Sequence, residues 1–221
     1  MTAGTALRPV LWMTVPLVRK AARSLWTAPG LRERYPAYLA VMHGLVRASV
    51  PLMEAAADGC AALEEGDPTA GPLTAYLRTH ITEESGHDDW LREDLAALGV
   101  RQPDTVLGPA MREDIATLAG AQYYLVRHLH PACLLGYIAV LEGCPPDASM
   151  VGRLPELTGW PPGAFRTLAR HAADDPGHLR DLMHLLDVLP LNAPITAEVA
   201  RNAAFTAVRA SDLLRRLGGV A

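Results

Sequence analysis

The chain has 221 residues, half of them hydrophobic, a net charge of −4 and a single lysine, Lys20. That composition supplies a sizeable core, excludes the strongly basic field of a general nucleic-acid binder, and offers few aromatics for base stacking. The three cysteines, Cys60, Cys133 and Cys144, are odd in number and lack CxxC spacing, which argues against a disulfide framework or zinc ribbon and fits a reducing compartment.

Residues 7–26 read as an amphipathic helix closed by Pro29-Gly30. The apolar run within it is interrupted by Pro16 and followed by no small-residue cleavage site. No stretch reaches the length of a membrane span, so the expectation is a soluble, cytoplasmic protein without a membrane partner. A second helix is expected from Tyr35-Pro36, where proline suits the first turn, to about Leu63, bent at Pro51. The third covers residues 72–98, with Leu73, Leu77, Ile81, Leu91, Leu95 and Leu98 on a 3.6-period face and Gly99 as C-cap. A loop holding Pro103 follows.

Residues 109–142 contain Pro131 and read as two helices or one kinked helix, stopped by Gly143 to Pro146. One brief helix is expected in 147–162, a long one over 163–189 and a last one over 194–217. No period-two alternation suggests a strand. The reading is a single all-α domain over residues 1–221.

Two stretches rhyme. His80, Glu84 and His87 share the spacing of His171, Asp175 and His178. Offsets of four and seven fall on one face of a helix. Imidazole and carboxylate together suit zinc, iron or manganese. Pro176-Gly177 lies inside the second stretch, so that helix either kinks or restarts with Asp175 as N-cap. Glu142 ends an apolar run, where a carboxylate is costly to bury unless paired. It either reaches solvent past Gly143 or joins the two His–acid edges, and the second reading is favoured. His128 and His130 precede Pro131 and read as helix-end residues. His184 lies on another face and reads as exposed, and His43 reads as a core histidine.

These residues resemble the haem-oxygenase-like diiron oxidases. The resemblance rests on Glu83-Glu84-x2-His87-x2-Trp90-Leu91, on Glu142 after its apolar lead-in, and on His171-x3-Asp175-x2-His178. It spans about residues 35–190. It implies a haem-oxygenase-like bundle of about seven helices holding two non-haem iron ions, often labile. It implies activation of O2 to oxidise a small amine- or carboxylate-bearing substrate by N-oxygenation, desaturation or oxidative carbon–carbon cleavage, in a biosynthetic setting. Glu84, His87, Glu142, His171, Asp175 and His178 would be ligands, with Glu142 able to bridge. His80 would be a ligand or a group supporting one. His43 or Glu54 would be the source of any ligand from the first core helix.

The expected partners are therefore the substrate and O2. No nucleic acid is expected, and a homodimer through the terminal helices is one option. Two other readings compete. One is a thiaminase-like or haem-oxygenase-like protein of the same fold without a diiron site. The other is a non-catalytic helical protein with buried His–acid networks.

Overall fold

The computed structural model describes residues 2–107 and 113–219. Helix α1 (Ala3–Thr27) starts at Thr2, whose hydroxyl accepts from the Thr5 amide. Helix α2 (Leu31–Cys60) begins earlier than Tyr35-Pro36 and carries Pro36 inside it. A proline there leaves the carbonyl of residue 32 without its helical donor. The Arg32 carbonyl instead accepts from Trp160 Nε1 at 3.2 Å, and the Arg32 guanidinium lies 3.9 Å over the Trp160 ring. A tertiary partner thus allows the helix to start a turn early.

The expected helix over 72–98 is two helices, α3 (Ala70–Glu84) and α4 (His87–Ala97). Ser85 is extended, with its hydroxyl donating to the Ile81 carbonyl at 2.6 Å. Gly86 has φ +86°, a conformation open to glycine at little cost. Asp88 and Asp89 in the first turn of α4 suit the positive end of the new helix. Gly99, at φ +84°, closes α4 as expected. Pro103 opens a short helix, α5 (Pro103–Leu107), where a loop was expected.

The stretch around Pro131 is two helices, α6 (Glu113–His128) and α7 (Leu134–Glu142), joined through a 3-10 turn, Pro131–Cys133. The expected start near Pro109 lies outside the described residues. His130 Nδ1 accepts from the Ala132 amide and caps that turn, while His128 and His184 are exposed. Helix α8 (Ala148–Thr158) is N-capped by Asp147. Helix α9 (Arg166–Val188) runs unbroken through Pro176, so Asp175 is a mid-helix residue and not an N-cap. Helix α10 (Ala193–Leu217) starts at Asn192. No strand occurs among the described residues. Among the described residues α3 and α4 form one broken rod, which with α1, α2, α6, α9 and α10 makes up the long elements, and the shorter α5, α7 and α8 lie between them.

The apolar interior has two parts. One joins Leu73 and Leu77 of α3 to α7, α10 and the second half of α9, through Leu182 and Leu186. The other joins Leu91 and Leu95 of α4 to Tyr35, Leu154 and Leu168 at the start of α9. Along both α3/α4 and α9, the His–acid residues fall where the chain passes from one apolar part to the other. Helix α7 is fixed by close approach to α10. A Cβ on Gly136 would stand 2.2 Å from the Val199 carbonyl oxygen. Asn202 of α10 also donates to the Cys133 carbonyl and to Gln122 Oε1, each at 2.7 Å.

Candidate metal centre

Three rods converge at the junction of the two apolar parts. Helix α3 brings His80 and Glu84, α7 brings Glu142, and α9 brings His171, Asp175 and His178. His87 arrives from α4, beyond the break. The seven sequence-derived candidates therefore meet in one region, although His80, Glu84 and His87 do not share one helical face. Six of the seven fall into two groups: His80, Glu84, Glu142 and His178 in the first, Glu84, His87 and His171 in the second. Within each group one donor atom per residue lies within 4.8 Å of every other. Glu84 belongs to both.

In the first group His80 Nε2 is 3.3 Å from Glu142 Oε1, and His178 Nδ1 is 3.2 Å from Glu142 Oε2. His178 Nδ1 is also 3.7 Å from Glu84 Oε1. In the second, His87 Nδ1 is 3.0 Å from Glu84 Oε2, and the His87 and His171 rings meet edge-on at 5.2 Å between centroids. His171 Nδ1 lies 3.0 Å from the Thr167 carbonyl, which leaves Nε2 as its free donor atom.

Asp175 is outside both groups. It is buried, and its Oδ1 has no partner among the described residues. Of the two candidates on α2, Glu54 is exposed on the surface and His43 is buried with an unpartnered Nε2. Neither belongs to the groups.

The electrostatics follow from burial against pairing. Burial pushes the Glu84 carboxyl up, but the contact with His87 outweighs it and holds the group below its ordinary value. For Glu142 burial is likewise overcome by His178 and His80. His178 is raised to about 9 by its hydrogen bond to Glu142, against an opposing effect of burial. His80 is lowered by burial but raised more by Glu142 and Glu84, with a net upward displacement. Asp175 is raised to about 9 by burial, then by the charges of Glu142 and Glu84. The Glu84 and Glu142 carboxylates therefore share a confined space with the His178 imidazolium, and His80 is displaced toward its charged form. Protons occupy the role a divalent cation would take.

Four neighbours outside the ligand set shape the centre. Glu83 is half exposed and reaches both His80 Nδ1 at 3.3 Å and His178 Nε2 at 3.8 Å. The Tyr76 ring stacks on His80 at 5.6 Å and the Trp90 ring on His87 at 3.8 Å. The Arg170 guanidinium lies 4.3 Å over Trp90. Tyr76 stands one turn before His80 and Trp90 one turn after His87, so helical spacing was the signal that could have found them. A cavity of about 650 Å³ opens beside the cluster, with His80, Glu84, Glu142, His171 and Asp175 in its wall.

The profile of the iron-containing redox enzyme family matches residues 67–212. The chain belongs to the iron-containing redox enzyme family. All seven candidate residues lie inside the matched segment. Two solved structures share the fold of this chain. A domain of unknown function with a haem-oxygenase-like fold from Shewanella denitrificans superposes with a TM-score of 0.74 at 15% identity, covering 97% of this chain and 88% of that one. A TenA homologue from Pseudomonas syringae gives 0.67 at 14% identity, covering 97% and 90%. At such identities the likeness is one of fold, and the architecture is a haem-oxygenase-like helical bundle. No curated protein matches in sequence.

The donor set of the candidate centre fits iron. It mixes imidazole and carboxylate without thiolate, since Cys60, Cys133 and Cys144 stand elsewhere. His87 Nδ1 and Glu84 Oε2 are close without hydrogen-bond alignment, as lone pairs directed at a common point are. First-row cations bond N and O at roughly 2.0–2.2 Å, so ligand atoms opposite each other stand about 4.4 Å apart. A contraction of a few tenths of an ångström would close either group. Among the described residues no helix is long and apolar enough to cross a membrane.

Proposed function

We propose that this iron-containing redox enzyme is a non-haem diiron oxidase. It uses O2 to oxidise a small amine- or carboxylate-bearing substrate by N-oxygenation, desaturation or oxidative carbon–carbon cleavage. The observation that carries the reading is the sharing of Glu84 between two His–acid groups. A carboxylate common to two adjacent sets is what a dinuclear centre requires, with metals about 3.5–4 Å apart. A single-metal site or an ordinary ion-pair network does not need it.

On this reading His80, Glu142, His178 and Glu84 would hold one iron, and Glu84, His87 and His171 would hold the other. Asp175, buried beside them with a free oxygen, is the remaining carboxylate on the cavity wall. Bound iron would supply the electrons and open coordination positions for O2. The chain supplies the rest. Glu84 and Glu142 stay ionised and balance the added charge. His178, raised to about 9, would give up its proton when metal enters. Thr167 orients His171 through its carbonyl, Tyr76 and Trp90 fix two ring planes, and Leu134, Ile138 and Leu168 keep the cavity wall dry.

Anaerobic titration with Fe(II) tests this directly. Two iron ions should bind per chain, and exposure to O2 should produce a transient visible absorption absent from His178→Ala. A folded protein that takes up no iron would overturn the proposal.

A further inference from the structure

The cavity has a second end. It runs from the cluster to a mouth between α1 and α8, where Arg19, Arg23 and Arg153 join its lining. Arg19 and Arg23 are one turn apart and so share a face of α1, and all three are exposed. Among the described residues none of the three forms an ion pair, whereas Arg8, Arg92, Arg166, Arg201, Arg215 and Arg216 each pair with an acid. No acid precedes Glu33 in the chain, so α1 has none of its own to offer them. Asp147 is the nearby carboxylate of the rim, and its Oδ1 is engaged by the Ser149 and Met150 amides. Between this mouth and the cluster the wall is apolar, with Trp26, Met42, Val46, Ile138, Met150 and Leu214.

We propose that Arg19, Arg23 and Arg153 anchor the anionic head of an aliphatic carboxylate or phosphate, whose chain lies along the apolar wall and points toward the His–acid cluster. Guanidinium groups pair with either head in a two-pronged manner. A cavity with apolar walls, charged groups at its two ends and a volume in the range of ligand pockets fixes such a molecule in one direction. The head stays at the surface and the aliphatic body reaches the reacting end. The assignment of that deep end rests on the diiron reading; the anchoring does not.

Calorimetric titration of the metal-free protein with decanoate, decyl phosphate and decanol tests the anchor. At least one of the two anions should bind tenfold or more tightly than decanol, and comparison of the two identifies the head. The Arg19→Gln/Arg23→Gln double variant should lose tenfold or more in affinity for that anion, while Lys20→Gln, which removes a neighbouring charge on α1, should lose little. Equal binding of decanol, equal losses in Lys20→Gln and the double variant, or no anion binding would each overturn the proposal. Iron uptake measured on the same samples separates the two ideas. His178→Ala should lose iron and keep the anion. Normal iron uptake without anion binding sinks the anchor alone, and anion binding without iron uptake sinks the diiron reading alone.

Discussion

Glu84 ends one helix and His87 begins the next, yet Glu84 Oε2 lies 3.0 Å from His87 Nδ1. On a continuous helix the two would simply be neighbours one turn apart. Here the approach is made by Ser85 and Gly86, with Gly86 in the left-handed region at φ +86°. A Cβ at Gly86 meets nothing within 4 Å, so Gly86→Ala costs backbone strain alone, about 1–2 kcal/mol. Thermal unfolding should report that loss. Iron stoichiometry should fall further than this small cost explains, and Gly86→Asn should be milder, because asparagine tolerates the conformation.

The sharing of Glu84 predicts an unequal pattern of metal loss. Glu84→Ala should lower iron stoichiometry at both positions. His171→Ala should spare the group of His80, Glu142 and His178, leaving about one iron per chain by the two-metal reading. Elemental analysis after anaerobic loading distinguishes them. Equal stoichiometry in the two variants would remove Glu84 from its bridging place.

Metal uptake should depend on pH with a defined sign. His178 is raised to about 9, so it carries a proton at neutral pH that a metal must displace. Affinity for Fe(II) or a redox-inert surrogate should rise from pH 6 toward pH 9 and level off above it. Calorimetry in buffers of different ionisation enthalpy should show net proton release at pH 7.

Asp94 offers a pH effect at a residue outside the ligand set. It is fully buried, accepts from the Thr167 amide at 3.0 Å, and is raised to about 6 by burial against those hydrogen bonds. Its folded-state value exceeds the unfolded one, so the folded chain binds the proton more tightly. Its contribution is most favourable below about pH 4 and is lost as pH rises through 6. The shift corresponds to roughly 3 kcal/mol at most. Asp94→Asn should flatten this part of the pH dependence in urea unfolding of metal-free protein between pH 4 and 7.

Gly136 should resist every substitution. Its missing Cβ faces the main chain of α10, with the Ala203 amide nitrogen at 2.9 Å beside the Val199 oxygen. Gly136→Ala must push α7 away from α10 and should cost about 1–3 kcal/mol as an overpacked site. Because α7 ends on Glu142, iron affinity should fall along with the melting temperature.

Helical periodicity and the punctuation of Gly99, Pro131 and Gly143 were enough to read most of the rods from sequence. One misplacement comes from compensation by a distant residue: nothing near Pro36 reveals that Trp160 will satisfy the Arg32 carbonyl. The break at Ser85-Gly86 was hidden because the leucines on either side keep a 3.6-residue rhythm while serving different halves of the interior. The ligand-type residues were legible because histidine and acid on apolar faces are scarce. Their partition into two groups was not, since it depends on that break. The resemblance implied that Glu142 could bridge, and among the described residues Glu84 is the carboxylate common to both groups.

The turn at Gly86 also sets how the centre comes apart. His80 and Glu84 ride on α3, while His87 rides on α4, and only Ser85 and Gly86 tie the two rods end to end. Each rod is seated in its own part of the interior, α3 through Leu73 and Leu77 and α4 through Leu91 and Leu95, so a change in the packing of α4 would displace His87 while leaving His80 in place. On the proposed diiron reading, that division would make the position completed by His87 the more easily emptied of the two. Lability of one metal would be a mechanical property of a two-residue joint, not a weakness of the ligands themselves.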